Sequence, residues 1–217
     1  MARHKLAEED LIDLVKSADW ETAARTFGNF HNTIIGLLVH AWVNPKRRPA
    51  DRKKRWVLEG APSLDKKAPR RYSDGIFVSG TSPVGIMEVE GLHALGICTK
   101  MRKYLRPDHA WFGLCVFYPL YPRGRKPSRR LRFMSGRDEG TAQDDIAKIL
   151  KEGEAVHKVT RAPMVMVFIE KEWQESTPDP NIGLRTEGSG YGRGKVTKIR
   201  GYLIAGRTRP EEYPLWP

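Results

Sequence analysis

The chain has 217 residues and a mass of 24.7 kDa, with 40% apolar residues, enough for one large domain around a hydrophobic interior. Lys and Arg number 38 against 26 Asp and Glu, a net charge of +12 and a pI near 9.8, so the summed field attracts polyanions, nucleic acid first among them. No run of about 18 apolar residues occurs and none follows the opening MARHKLAEEDL, so neither a membrane span nor a secretory leader is expected and the protein is read as cytoplasmic.

Residues 6–18, LAEEDLIDLVKSA, set Leu6, Leu11, Leu14 and Val15 on one side and acids on the other, the pattern of an amphipathic helix. Asp19 is placed to cap a second, short helix that ends at Gly28, and a third helix is expected from about His31 to Val43. This passage resembles a helix-turn-helix, with Ala24, Gly28 and Ile34 at the fifth, ninth and fifteenth positions from Trp20. Two readings follow. Either the third helix reads DNA through His31, Asn32 and His40, or, being apolar around most of its circumference, it is a buried helix flanking a sheet.

From Asn44 to Arg71 the composition turns basic, with eleven Lys or Arg against Asp51, Glu59 and Asp65. Prolines 45, 49, 62 and 69 break any long helix, and one short strand, Arg55 to Glu59, is expected within a loop. Lys46, Arg47, Arg48, Arg52, Lys53 and Lys54 form a candidate phosphate-gripping arm. Next comes YSDGIFVSGTSPVGIMEVEGLHALGICTKMRKY, in which two strands are joined by a turn through Gly80-Thr81-Ser82-Pro83. Strand periodicity sends Ile86, Glu88 and Glu90 to one face and Gly85, Met87 and Val89 to the other. A hairpin would bring Asp74 alongside the two glutamates. Like charges so close call for a counter-charge, and three hard carboxylates suit Mg²⁺ or Mn²⁺; plain solvation of the strand face is the bland alternative.

A helix from Leu92 to Leu105 ends in Lys100, Arg102 and Lys103, where cations also suit the helix dipole. Trp111 to Tyr121 is an almost continuous apolar run, expected to be a central strand. A second basic loop, 123–132, offers Arg125, Lys126, Arg129 and Arg130 to phosphates. Thereafter a helix is expected over Thr141 to Glu152, strands over Met164 to Trp173 and Lys195 to Ala205, a Gly- and Pro-rich loop over 176–195 and a tail whose Trp216 either packs back or meets a partner. The GSGYGRG stretch has the wrong glycine spacing for a dinucleotide loop, so no nucleotide cofactor is expected. Cys98 and Cys115, with no CxxC spacing, read as buried thiols.

The order of elements over about residues 30 to 175 resembles the core of the PD-(D/E)XK nuclease superfamily, the restriction-endonuclease-like fold. The resemblance implies an α+β protein with a mixed central sheet flanked by helices, an N-terminal helical segment over 1–43 and a nuclease-like core over 44–217. It also implies a metal-dependent DNA endonuclease, of restriction type, with Mg²⁺ or Mn²⁺ held by Asp74, Glu88 and the carbonyl of Val89. Glu90 stands where that family carries a lysine, and Lys100 or Lys103 from the next helix would supply the missing positive charge. Cleavage of both strands would suit a homodimer. A DNA-binding protein without catalysis, or an RNA-binding protein that stacks Tyr191 on a base, are the alternative readings.

Overall fold

A computed structural model describes residues 2–25, 30–43, 54–58, 73–90, 94–105, 111–120, 142–173, 194–206 and 209–216. Three helices lead, α1 (Ala2–Ser17), α2 (Trp20–Arg25) and α3 (Phe30–Val43), followed by strands β1 (Lys54–Leu58), β2 (Gly75–Ser79) and β3 (Ser82–Glu90). Helix α4 (Ala94–Tyr104) leads to β4 (Phe112–Leu120), and α5 (Ala142–Thr160) to β5 (Met164–Trp173), β6 (Gly194–Ile204) and β7 (Glu211–Trp216). The strands form one seven-stranded sheet in which spatial order equals chain order. Its centre, β3-β4-β5, is parallel, and the flanking pairs on both sides are antiparallel. The protein is therefore mixed α/β, as its pattern of strands and helices implies.

This topology places the helices. Both parallel connections advance in the same direction across the sheet, and right-handed crossovers put α4 and α5 on one face together. There Ile97, Cys98, Met101, Ile146, Ile149 and Val156 pack on Ile86, Phe117, Met166 and Phe168. The opposite face, with Phe77, Met87, Val89, Leu114 and Val167, is covered by Leu11, Leu14, Ile34, Leu38 and Trp42 of the first three helices. Burying apolar side chains at about 25 cal/mol per Å² on both faces of a sheet is what holds such a three-layer arrangement together. The N-terminal helical segment thus shares its core with the sheet.

Several expectations over the first half are met with small shifts of boundary. Asp19 caps α2, accepting from the Thr22 N–H at 3.0 Å and from the Thr22 hydroxyl at 2.7 Å. Helix α3 turns Ile34, Ile35, Leu38, Ala41 and Trp42 inward and leaves Asn32, Gly36, His40 and Val43 exposed, an outer side without Lys or Arg. Its inner side flanks the sheet, as one of the two readings expects. The hairpin turn is tighter than expected, because Ser79 pairs with Ser82 and only Gly80 and Thr81 bridge the strands.

One boundary is corrected and the tail is extended into a strand. Helix α5 runs to Thr160 instead of stopping near Glu152. A Cβ on Gly153 would stand 2.2 Å from the Met166 Cε, so the glycine serves close approach of helix to sheet inside a continuing helix. The helix ends at Arg161, whose φ of 60° is left-handed and whose N–H returns to the His157 carbonyl at 2.8 Å. The tail, expected only to carry a Trp216 that packs back or meets a partner, adds a strand to the sheet. Residues Glu211–Trp216 form β7, and Pro214 is tolerated because an edge strand needs no second ladder of N–H donors. Trp216 packs back onto the helical layer, its Nε1 donating to the Glu21 Oε2 at 2.6 Å, while the Lys16 ammonium lies 4.6 Å from the centre of the Tyr213 ring.

Candidate active site

The last ladder pair of the β2-β3 hairpin, Gly75 with Met87, leaves Asp74 alongside Glu88 at the C-terminal end of β3. The carboxylate of Asp74 is tied there by the Val89 N–H, which donates to its Oδ2 at 2.7 Å. Period two turns Glu88 to the face of Ile86, toward α4, and Met87 and Val89 to the other core. From α4 the ammonium of Lys100 reaches down, 2.9 Å from the Glu88 Oε2 and 3.8 Å from the Glu90 Oε2. From α3, on the opposite side of the sheet, His31 brings its Nε2 to 3.4 Å from the Asp74 Oδ1.

Burial grades through this group. The side chain of Glu88 is 1% exposed, while Asp74, Glu90, Lys100 and His31 all keep contact with solvent. One carboxylate oxygen of Glu88 is satisfied by Lys100; the other, Oε1, is buried with no hydrogen-bond partner. An unpaired buried carboxylate oxygen is costly, since desolvation disfavours the charged form. Burial accordingly pushes the Glu88 carboxyl up to about 7, against the pull of the Lys100 hydrogen bond and charge, with Asp74 and Glu90 adding to the rise. Burial acts downward on Lys100, but its bond to Glu88 and the surrounding acids outweigh this and hold the ammonium above its ordinary range. Both thiols are pushed upward by burial, Cys98 to about 12 and Cys115 well above its ordinary value, which makes them inert.

The structure therefore brings Asp74, Glu88, Glu90 and Lys100 together. Lys103, on the last turn of α4, is exposed, and the ion pairs to the glutamates are made by Lys100. The carboxylates do not close into a ready cage: among the described residues, no group of three or more His, Cys, Asp and Glu is arranged to hold a metal ion. Lys100 stands where the sequence pattern alone suggested a cation, so the like charges on β3 are offset by an ammonium. Lys46, Arg47, Arg48, Arg52, Lys53, Arg125, Lys126, Arg129, Arg130 and Tyr191 lie outside the described residues, and Lys54 is described only as the first backbone position of β1.

The residue that sequence reasoning did not place in this group is His31. It was legible only as a reader of DNA, because nothing local in the sequence links the start of α3 to the head of β2; the sheet brings them together. No helix among the described residues is long and apolar enough to cross a membrane. No protein-family model, curated protein or solved structure matches the chain.

Proposed function

We propose that the protein is a metal-dependent DNA endonuclease that hydrolyses phosphodiester bonds at the cluster of Asp74, Glu88, Glu90 and Lys100. The observation that carries this reading is Glu88: a glutamate 1% exposed, with one oxygen on a lysine and the other unpartnered, beside a second and a third acid. A buried carboxyl oxygen without a donor is the kind of atom a divalent cation stabilises by taking the place of its proton, and the hard oxygen donors suit Mg²⁺ or Mn²⁺. Asp74, Glu88 and the Val89 carbonyl are the groups that would hold it. When bound, such an ion polarises a phosphoryl oxygen and lowers the pKa of water.

The chain's own residues do the rest. Lys100, an ammonium between two glutamates, is placed to offset negative charge that builds on the phosphoryl oxygens as the pentavalent transition state forms. Glu90, partly exposed, accepts a hydrogen bond from the attacking water and keeps it in line with the leaving 3′ oxygen. The Val89 N–H fixes Asp74 so that its carboxylate does not turn away. A net charge of +12 draws the polyanionic substrate to this site. The restriction-endonuclease-like reading is supported by the order α3-β1-β2-β3-α4-β4, with an Asp heading β2 and Glu-x-Glu closing β3.

Supercoiled plasmid incubated with the protein and Mg²⁺ or Mn²⁺ should become nicked or linear, and chelation by EDTA should stop it. Asp74→Ala and Glu88→Ala should each abolish cleavage while DNA binding stays equal or tightens, because phosphate repulsion is relieved. Binding without any cleavage would leave a basic DNA-binding protein and refute the enzyme.

A further inference from the structure

The geometry points to His31 as a positioning residue for Asp74, by which the N-terminal helical layer sets the orientation of a ligand carboxylate; this rests on the metal-site reading above. Asp74 sits on a bend just before β2, and the Val89 N–H at 2.7 Å from Oδ2 is one point of attachment. One bond leaves a carboxylate free to pivot about it. The His31 Nε2, 3.4 Å from Oδ1, is a second point of polar contact and comes from the opposite side. The ring is held by more than its own rotamer. Helix α3 is anchored by Ile34, Ile35, Leu38 and Trp42 in the core that also holds Met87 and Val89, so the distance between His31 and the head of β2 is set by packing.

The His31 Nδ1 lies 3.2 Å from the Asn32 side-chain Oδ1, a further polar contact on the same ring. Groups that fix a metal-ligating carboxylate in this way typically change metal affinity by about 10- to 100-fold when removed.

The test is calorimetric titration of Mn²⁺ into the full-length protein and into His31→Ala, His31→Gln and Asp74→Asn, with no DNA present. Asp74→Asn should lose binding. His31→Ala should weaken it by about 10- to 100-fold, and His31→Gln, whose amide nitrogen falls near the imidazole Nε2, should restore it to within about threefold of the wild type. Wild-type affinity in His31→Ala, or equal weakening in both His31 variants while Asp74→Asn still loses the ion, would overturn the role of His31 and leave the metal site standing. A wild-type protein that binds no Mn²⁺, or an Asp74→Asn variant that binds it normally, would overturn both. Should His31→Ala fail to fold, comparing His31→Gln with His31→Leu decides the same question.

Discussion

Glu88 holds an ionisable group in the interior beside Cys115, its partner across the β3-β4 ladder, and that placement has a consequence for stability. Its carboxyl titrates near 7 in the folded protein against an ordinary value of 4.5. Between those values the folded chain retains a proton that the unfolded chain has released, so stability falls as pH rises through this window and the loss is complete above it. Glu88→Gln removes the titration. Urea unfolding at pH 5 and pH 7 should show the wild type losing more stability between the two than the variant does; equal losses would mean that Glu88 titrates as an ordinary glutamate. At this scale the sequence was informative about the acids, because alternation along a strand is a local property. Asp74 beside Glu88 followed from a tight turn, and Lys100 from its place on the next helix. His31 did not follow, since its proximity arises from packing across the sheet.

The elements show the same division between local and long-range information. Strand β3 was legible from its alternation and β4 and β5 as apolar runs, and α1 to α4 as amphipathic, capped or apolar helical segments, because their signals lie within a few residues. The length of α5 and the existence of β7 were not, because what continues a helix past a glycine or pairs a Pro-bearing tail lies in the packing of distant elements. Gly85 is a further case. A Cβ there would stand 2.3 to 2.6 Å from the ring of Phe112, which packs edge-on with Trp42 at 5.9 Å and tilts against Phe77 at 5.1 Å. An aromatic ring wedged between two others has little room to yield. Gly85→Ala should therefore destabilise the protein by about 1–3 kcal/mol, measured by chemical denaturation, and a neutral substitution would show that the cluster repacks.

Over the whole molecule, sheet topology and charge act together. Two helical layers meet at the end of β3, with His31 arriving from one and Lys100 from the other, so the candidate site depends on the complete three-layer fold. The charge of +12 concerns association more than chemistry. Replacing Arg129 and Arg130 together should weaken binding to all DNA sequences alike and reduce the slope of log affinity against log salt by about two, at roughly 0.9 per lost phosphate contact; an unchanged slope would place the contacts elsewhere. The central claim is that the acids at the end of β3 hold a divalent ion. Its most direct measurement is anomalous diffraction from a crystal soaked in Mn²⁺. The account predicts one peak bonded to oxygens of both Asp74 and Glu88, at about 2.0–2.2 Å. A peak bonded to neither, or Lys100 still bridging the glutamates with no metal near them at saturating Mn²⁺, would contradict it.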